Sequence, residues 1–396
     1  MNLLKGGLNE VPGFSFAAIE CGITYKERLD FSLIFSKTPC NASAIFTTNK
    51  IIAAPVKLSK ERINNLIHGI LINSTNANAC TGEIGYKNAL MLTKEVSKHL
   101  NVEEDSILNA STGVIGVQLP IDKMKKSIPI LAKSLSIDNA ELIPRAIMTT
   151  DTFPKEIAAS FSYSRGEGRI AGTIKGSGMI APNMATLLVF ILTDFPIEKQ
   201  ALKTIFTRCS MKTLNSITID GDMSTNDTAL ILSPTSNQYI SDKNDLDKFE
   251  SALLNILDKL SEMTLSDGEG TTKIVKVNVT EAKTKDDARL VAKSISESLL
   301  VKTAFFGKDP NWGRIACAAG YSGAEIKESS LSIYFEDIPL LINGSPAKYN
   351  MKKLYEILNK KKFSITINLG IGDASSSYLT TDLSYEYIKI NAEYTT

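Results

Sequence analysis

The sequence predicts a mixed α/β or α+β protein built from layered sheets, and three observations predict it. Stretches with helical periodicity alternate with short apolar runs along the whole chain. Turn residues bound those runs, as they bound strands. The 396 residues are 43% apolar, enough for a substantial core in two domains or one large one. Strands and helices that interleave in this way pack as layers.

Taken in order, Phe31–Phe35 and Gly69–Ile72 are the first expected strands. Glu83–Leu100 is expected as a helix, because Ala89, Leu92, Val96 and Leu100 share one face. A second helix opens at Pro120-Ile121-Asp122, with Met124, Ile128, Leu131 and Leu135 inward. The unbroken apolar run Leu187–Leu192 reads as a fully buried strand. Lys199–Leu214 is the third helix. Ser216–Ile219 and Ala229–Leu232 are strands, with Asp220-Gly221-Asp222 between them as a hairpin turn. Asp245–Leu265 spaces Phe249, Leu253, Ile256, Leu260 and Met263 for a core face. Ile274–Val279 is a strand, and a soft boundary follows Val279, where a polar stretch precedes the helix Asp286–Leu300. Strands Leu331–Phe335, Ser364–Leu369 and Tyr385–Ile390, with a helix Lys352–Asn359, complete the reading.

Composition removes several function classes. Lys and Arg number 44 against 43 Asp and Glu, a formal net charge of +1. A nucleic-acid footprint needs a basic excess on one face, so no nucleic-acid partner is expected. No apolar run reaches the roughly 18 residues of a membrane span, so no membrane partner is expected. The residues from Met1 to Gly7 lack the apolar core of a signal peptide. The cysteines Cys21, Cys40, Cys80, Cys209 and Cys317 are odd in number and widely spread, without a Cys-x-x-Cys pair. Neither a zinc site nor a disulfide framework is indicated, and a cytoplasmic location is expected. Cys80 is expected as a small buried apolar side chain. Asp220, Asp222 and Asp227 fall short of a calcium-loop spacing, so no metal is invoked.

The chemistry concentrates between residues 175 and 194. A glycine-rich, lysine-bearing loop, Lys175 to Gly178, leads through Pro182 and Asn183 to Ala185-Thr186. The buried run follows at once, so Thr186 is a hydroxyl at a rigid strand entrance beside a flexible loop and a cation. A nucleophile is placed in such a position. Threonine needs a base. The two histidines, His68 at a helix-to-strand junction and His99 at a helix end, read as structural or solvated. The other activating group is the α-amine of Thr186 itself, which requires cutting the Ala185–Thr186 bond. Small Ala185 leaves room for the hydroxyl to attack the preceding carbonyl. Read alone, Thr186 suits the plain first residue of a buried strand equally well.

The segment from Lys175 through Thr186 to Leu188 resembles the self-cleavage segment of the ornithine acetyltransferase family, the bifunctional glutamate N-acetyltransferases of arginine biosynthesis. Other islands resemble the same family in its order: Gly13-Phe14, Phe46-Thr47-Thr48-Asn49, Ala53-Ala54-Pro55-Val56, the segment Asn76 to Gly82, the segment Ser111 to Gly116 and Thr149-Thr150-Asp151-Thr152. Further on come the segments Asp220 to Asp227, Asp267 to Lys273, Asp309 to Arg314 and Asn391 to Thr396. Together they cover essentially the whole chain. One departure is Thr75, a β-branched residue where the family's pattern has a glycine free to take φ > 0.

The resemblance implies a helix–sheet–sheet–helix sandwich over residues 1–279 that carries an N-terminal-nucleophile threonine. It implies a smaller C-terminal α/β domain over 280–396 that completes the substrate site. It implies cleavage between Ala185 and Thr186, and assembly of two N-terminal with two C-terminal fragments. The implied activity moves acetyl from N2-acetylornithine to glutamate by ping-pong chemistry through acetyl-Thr186. No cofactor is implied, and acetyl-CoA is a candidate second donor. Thr186 is implied as nucleophile and, by its freed amine, as base. Such an amine has a pKa of about 7.7–8.0 before Lys175, a like charge, lowers it. Thr112 and Gly113 match the oxyanion-hole pair; without the resemblance they read as a turn between Leu108 and Leu119. Thr152, Lys175, Thr186, Glu269, Asn391 and Thr396 match substrate-contacting positions. Lys175 suits a carboxylate and Glu269 the side-chain ammonium of ornithine. Trp312 reads either as a substrate-facing residue or as packing in an interface.

Two other readings compete. An N-terminal-nucleophile amidase or aminopeptidase of similar architecture passes the acyl group to water. A phosphate-binding protein would use the glycine-rich stretch Gly172–Gly178, but that stretch lacks the P-loop spacing and a strand follows where a helix is needed.

Overall fold

The structure, a computed structural model, describes residues 1–181 and 187–393. The nucleophile candidate Thr186, its neighbour Ala185 and the substrate-contact candidate Thr396 lie outside the described residues.

Among the described residues, one sheet has nine strands. Its order is Asn2–Leu3, Lys155–Tyr163, Gly166–Lys175, Leu188–Thr193, Thr228–Pro234, Phe31–Phe46, Ile67–Asn73 and Ile107–Ser111, with Phe14–Ile19 paired to Phe31–Phe46 beside this path. The long strand Phe31–Phe46 makes two layers of it. Phe31 to Phe35 pair with Ile67–Asn73, and the register slips before Cys40. Cys40 to Phe46 pair with Thr228–Pro234. Such a slip bends a strand. The halves meet across a core in which Ile34, Ile70 and Leu108 oppose Ala171, Phe190 and Leu230.

Helices cover both outer faces. Gly82–Leu100 and Ile121–Lys133 bury Leu92, Val96, Met124 and Ile128 on one half. Lys199–Lys212 and Lys243–Ser266 bury Phe206, Phe249, Leu253 and Ile256 on the other. The result is the expected helix–sheet–sheet–helix sandwich. The strand Leu188–Thr193 turns Leu188, Phe190 and Leu192 to the inner core and Val189 and Ile191 to the helices. Burial on both faces is why its sequence is apolar without alternation.

Among the described residues, the second sheet orders seven strands, Ser345–Pro346, Ile338–Ile342, Ser332–Phe335, Lys362–Asn368, Ile274–Ala282, Ala374–Thr381 and Ile217–Thr218. One face packs Val275, Val277 and Ile365 on helices Lys285–Glu297, Trp312–Gly320 and Met351–Leu358. A division after Val279 runs through the strand Ile274–Ala282. The apolar run ends there, but backbone pairing continues, with Thr280 opposite Asn368.

Several local expectations give way to the structure. Asp220-Gly221-Asp222 is not a hairpin turn: Ile217–Thr218 belongs to the second sheet and Thr228–Pro234 to the first, so the segment crosses between sheets. Tyr385–Ile390 is not a strand but the start of a helix, Tyr385–Glu393. Ser384 begins it by accepting the Tyr387 N–H at 3.3 Å, which outweighs the β-like alternation of Tyr and Ile. Cys80 is exposed, at φ +54, in the turn before Gly82–Leu100. Trp312 starts a helix capped by Asn311 and packs on the second core. The strands Lys155–Tyr163, Gly166–Lys175 and Ala374–Thr381 escaped the sequence reading, because Ala, Gly, Ser and Thr in them give little apolar contrast. Among the described residues, no helix is long and apolar enough to cross a membrane.

Candidate active site

Sheet register brings the first site residues together. Leu188 pairs with Lys175 on one side and with Thr228 on the other. Lys175 and Asp227 therefore flank the start of the strand that follows Thr186 in sequence. Lys175 ends its strand and is not a loop residue; it is 3% exposed. Burial holds its ammonium below the usual lysine range, against the opposing pull of Asp151, Glu269 and Asp227. Asp227 is fully buried, and its Oδ1 accepts the Leu187 N–H at 3.0 Å. Burial pushes its carboxyl well above the usual carboxylate range.

A buried ion cluster that the sequence reading missed supports Lys175. The Lys155 ammonium lies 2.6 Å from Asp151 Oδ1 and 2.5 Å from Asp267 Oδ2. Asp151 Oδ1 also accepts the Gly176 N–H at 2.8 Å, which fixes the turn after Lys175. Burial raises the Asp151 carboxyl, but Lys175 and Lys155 outweigh it and hold the group below its ordinary range. Thr152 joins this cluster. Its hydroxyl and its N–H both donate to Asp267, and Thr149 and Thr150, not Thr152, line the adjoining cavity.

That cavity has a volume of about 160 Å³. Thr112 and Gly113 form one wall, Lys175, Gly178 and Met179 another, and Glu269 and Asn391 a third. A cavity of roughly 150 Å³ holds a small organic molecule. The Thr112 N–H is spent on Asn73 O at 3.0 Å, which leaves the Thr112 hydroxyl and the Gly113 N–H as the donors of that wall. Gly113 has φ +132, and a Cβ there would lie 2.1 Å from the Thr75 carbonyl carbon. Only glycine fits. Asn226, which also lines the cavity, ties the wall down, donating to Ala77 O at 2.7 Å and Ser111 O at 2.8 Å.

Thr75 itself sits at φ +71, and its buried hydroxyl has no partner among the described residues. A side chain in the left-handed region costs about 1–2 kcal/mol, against roughly 0.5–1 kcal/mol for the extra freedom of an unfolded glycine. Thr75→Gly is therefore expected to stabilise the protein by up to about 1 kcal/mol, read as a higher urea midpoint. A lower midpoint would mean that packing of the threonine methyl outweighs the backbone term.

Glu269 faces Lys175 across the cavity. Its N–H donates to Ser177 O at 2.8 Å, and its Oε2 accepts Asn391 Nδ2 at 2.9 Å. A Cβ on Gly178 would lie 2.4 Å from Glu269 Oε2, so glycine lets the loop and the carboxylate approach. Neither histidine takes part. His68 Nδ1 meets Ser36 O at 2.9 Å, and His99 lies 3.5 Å from Glu95. Among the described residues, no cluster of three or more His, Cys, Asp or Glu could hold a metal.

The structure thus gathers Thr112, Gly113, Lys175, Glu269 and Asn391 around one cavity and seats Thr152 behind it. Asp151, Asn226 and Asp267 were visible as members of the family-like islands, without a role. Nothing local marks Lys155. The arrangement offers a buried cation, a carboxylate and two donors, which suits a small substrate with charges of both signs and a polarised carbonyl.

The ArgJ family model matches residues 15–396. An arginine biosynthesis bifunctional protein ArgJ of Geobacter sulfurreducens is 43% identical over 392 residues, covering 98% of this chain and 100% of that protein. Its namesake from Caldanaerobacter subterraneus is 42% identical over 404 residues, covering all of both. The namesake from Staphylococcus epidermidis is 40% identical over 401 residues, again covering all of both.

Proposed function

This chain belongs to the ArgJ family, and we propose that it moves acetyl from N2-acetylornithine to glutamate, giving ornithine and N-acetylglutamate for arginine biosynthesis. The observation that carries this reading is the single cavity on which Lys175, Glu269 and the Thr112–Gly113 wall converge, beside the strand that Thr186 precedes. Maturation comes first. Thr186 Oγ attacks the Ala185 carbonyl carbon, the peptide C–N bond breaks, and the nitrogen takes the hydroxyl proton. Water then releases the Ala185 carboxylate from the ester. The freed amine is the base of the mature enzyme. It takes the Thr186 hydroxyl proton as Oγ attacks the acetyl carbonyl, and returns it to the departing ornithine nitrogen. Glutamate's amine then attacks acetyl-Thr186 and restores the hydroxyl. The Thr112 hydroxyl and Gly113 N–H hold the oxyanion in both halves.

Lys175 suits the substrate α-carboxylate, and Glu269 suits the ornithine side-chain ammonium. Asn391 and Thr396 complete the contacts, and Thr152 acts from behind through Asp267. The bifunctional name of the relatives supports acetyl-CoA as a second donor. Gly166–Lys175 and Leu188–Thr193, on either side of the cut, are neighbours in one sheet, which supports fragments that stay together. The proposed assembly of two such pairs would weigh twice the 43.1 kDa chain, which light scattering measures. The free thiols Cys21, Cys40, Cys80, Cys209 and Cys317 suit a cytoplasmic location.

The deciding assay gives purified protein glutamate with either acetylornithine or acetyl-CoA. Acetylglutamate from acetylornithine supports the transferase; free acetate in its place would mean that water is the acceptor. Formation from acetyl-CoA as well supports the second donor. A further expectation concerns charge. A charge-assisted hydrogen bond contributes about 1.5–3 kcal/mol, so Glu269→Gln should raise the acetylornithine Kd at least about tenfold and the glutamate Kd less. Calorimetry of both ligands reads this. Equal weakening would mean that Glu269 orders its loop and does not read the side chain.

A further inference from the structure

Asp220 lies off the cavity wall, yet its carboxylate collects four donors. Oδ2 accepts the Met179 N–H at 2.7 Å and the Tyr387 hydroxyl at 3.2 Å. Oδ1 accepts the Ile180 N–H at 2.8 Å and the Asp222 N–H at 3.2 Å. The grip is returned, since Ile180 O accepts the Ile219 N–H at 2.8 Å and the Thr218 hydroxyl at 3.0 Å. Met179 and Ile180 are thus latched in both directions to the segment that leaves the second sheet. Met179 stands at φ +55, a left-handed conformation that a side chain rarely adopts, and it lines the cavity. Two neighbouring amides on one carboxylate hold it there. Tyr387 belongs to the helix Tyr385–Glu393, which buries no side chain of its own. One turn further on, Asn391 of the same helix reaches Glu269.

We propose that Asp220 is a positioning residue for self-cleavage: by gripping the Met179 and Ile180 amides it fixes the loop that presents the Ala185–Thr186 bond, with Tyr387 as a brace from the C-terminal helix. The inference rests on the reading that this bond is the one cut. The physical reason is reach. Among the described residues, Ile180 is the last of these latched positions before the bond, and four residues, 181–184, lie between it and Ala185. An error of about 1 Å in the approach of nucleophile and carbonyl costs on the order of 10²-fold in rate. After the cut, Met179 and Ile180 lie on the first fragment, and Asp220 and Tyr387 on the second. Acetyl transfer no longer depends on presenting that peptide bond, so cleavage is the more sensitive step.

Cell-free synthesis of the full chain, followed in time by intact mass spectrometry, tests this. Asp220→Asn keeps one acceptor oxygen and turns an NH₂ against the other amide, and is expected to slow cleavage about tenfold or more. Asp220→Glu, which retains both oxygens, should cleave faster than Asp220→Asn. Tyr387→Phe removes one bond and should slow cleavage about two- to fivefold. The kcat of the fraction already cut should fall less than the cleavage rate in each variant. A thermal midpoint for each uncut chain separates lost folding from lost positioning. Folded Asp220→Asn that cleaves at the wild-type rate overturns the proposal. If Asp220→Asn does not fold, an unchanged rate in folded Tyr387→Phe overturns it instead. A wild-type chain that stays whole, or is cut elsewhere, overturns the cleavage reading and removes this role with it.

Discussion

Thr186→Ala is expected to remain a single chain of 396 residues and to transfer no acetyl group. Without the hydroxyl nothing attacks the Ala185 carbonyl, so neither the base amine nor the nucleophile is ever made. Wild-type protein should instead purify as residues 1–185 and 186–396, of roughly 20 and 23 kDa by length. Intact mass spectrometry of fresh protein shows which occurs. An uncut wild-type chain with full transferase activity would remove the amine from the mechanism. The remaining base candidate near the strand entrance would then be Lys175, whose ammonium is held below the usual lysine range by burial.

The second large effect falls on the oxyanion wall. Thr112→Ala should lower kcat by about 10²–10³, equivalent to 2.7–4 kcal/mol, with little change in KM. The interaction strengthens only as charge develops on the acetyl oxygen. The geometry supports a local effect. The Thr112 backbone is held by Asn73, and Gly113 is locked against Thr75, so loss of the hydroxyl leaves the wall in place. Steady-state kinetics on cleaved enzyme decide the matter. A raised KM with unchanged kcat would make Thr112 a ground-state contact. Cleavage should slow as well if both reactions share the hole.

Much of this is legible in the amino-acid sequence. Helical periodicity located Gly82–Leu100 and Lys243–Ser266 to within a few residues, because one-sided burial repeats along a helix. The apolar run at Leu187 announced a strand buried on both faces. The family-like islands pointed to the residues that gather at the cavity. Less legible were strands such as Lys155–Tyr163, where a lysine and several small residues face the interior and leave no alternation to read. The C-terminal helix was misread because Tyr385 to Ile390 alternate as a strand does. A cap from Ser384 and polar ties to Asp220 and Glu269 decide it, and the two carboxylates lie more than a hundred residues away in sequence.

The sequence by itself determined the family, the mixed layered architecture and the candidate nucleophile, since these depend on residue type and on order along the chain. Tertiary structure alone decided how the charges are compensated. Lys155 lies between Asp151, four residues away, and Asp267, more than a hundred away. Thr152 spends its hydroxyl on that same Asp267, although its sequence neighbours Thr149 and Thr150 reach the cavity. The physical reason is that periodicity tells which face of an element is buried, but only sheet register tells what it is buried against. A charged group removed from water is stable only beside the partner that compensates it. For Lys155 and Asp220 the partners that no local pattern foretells, Asp267 and Tyr387, come from segments far away in sequence.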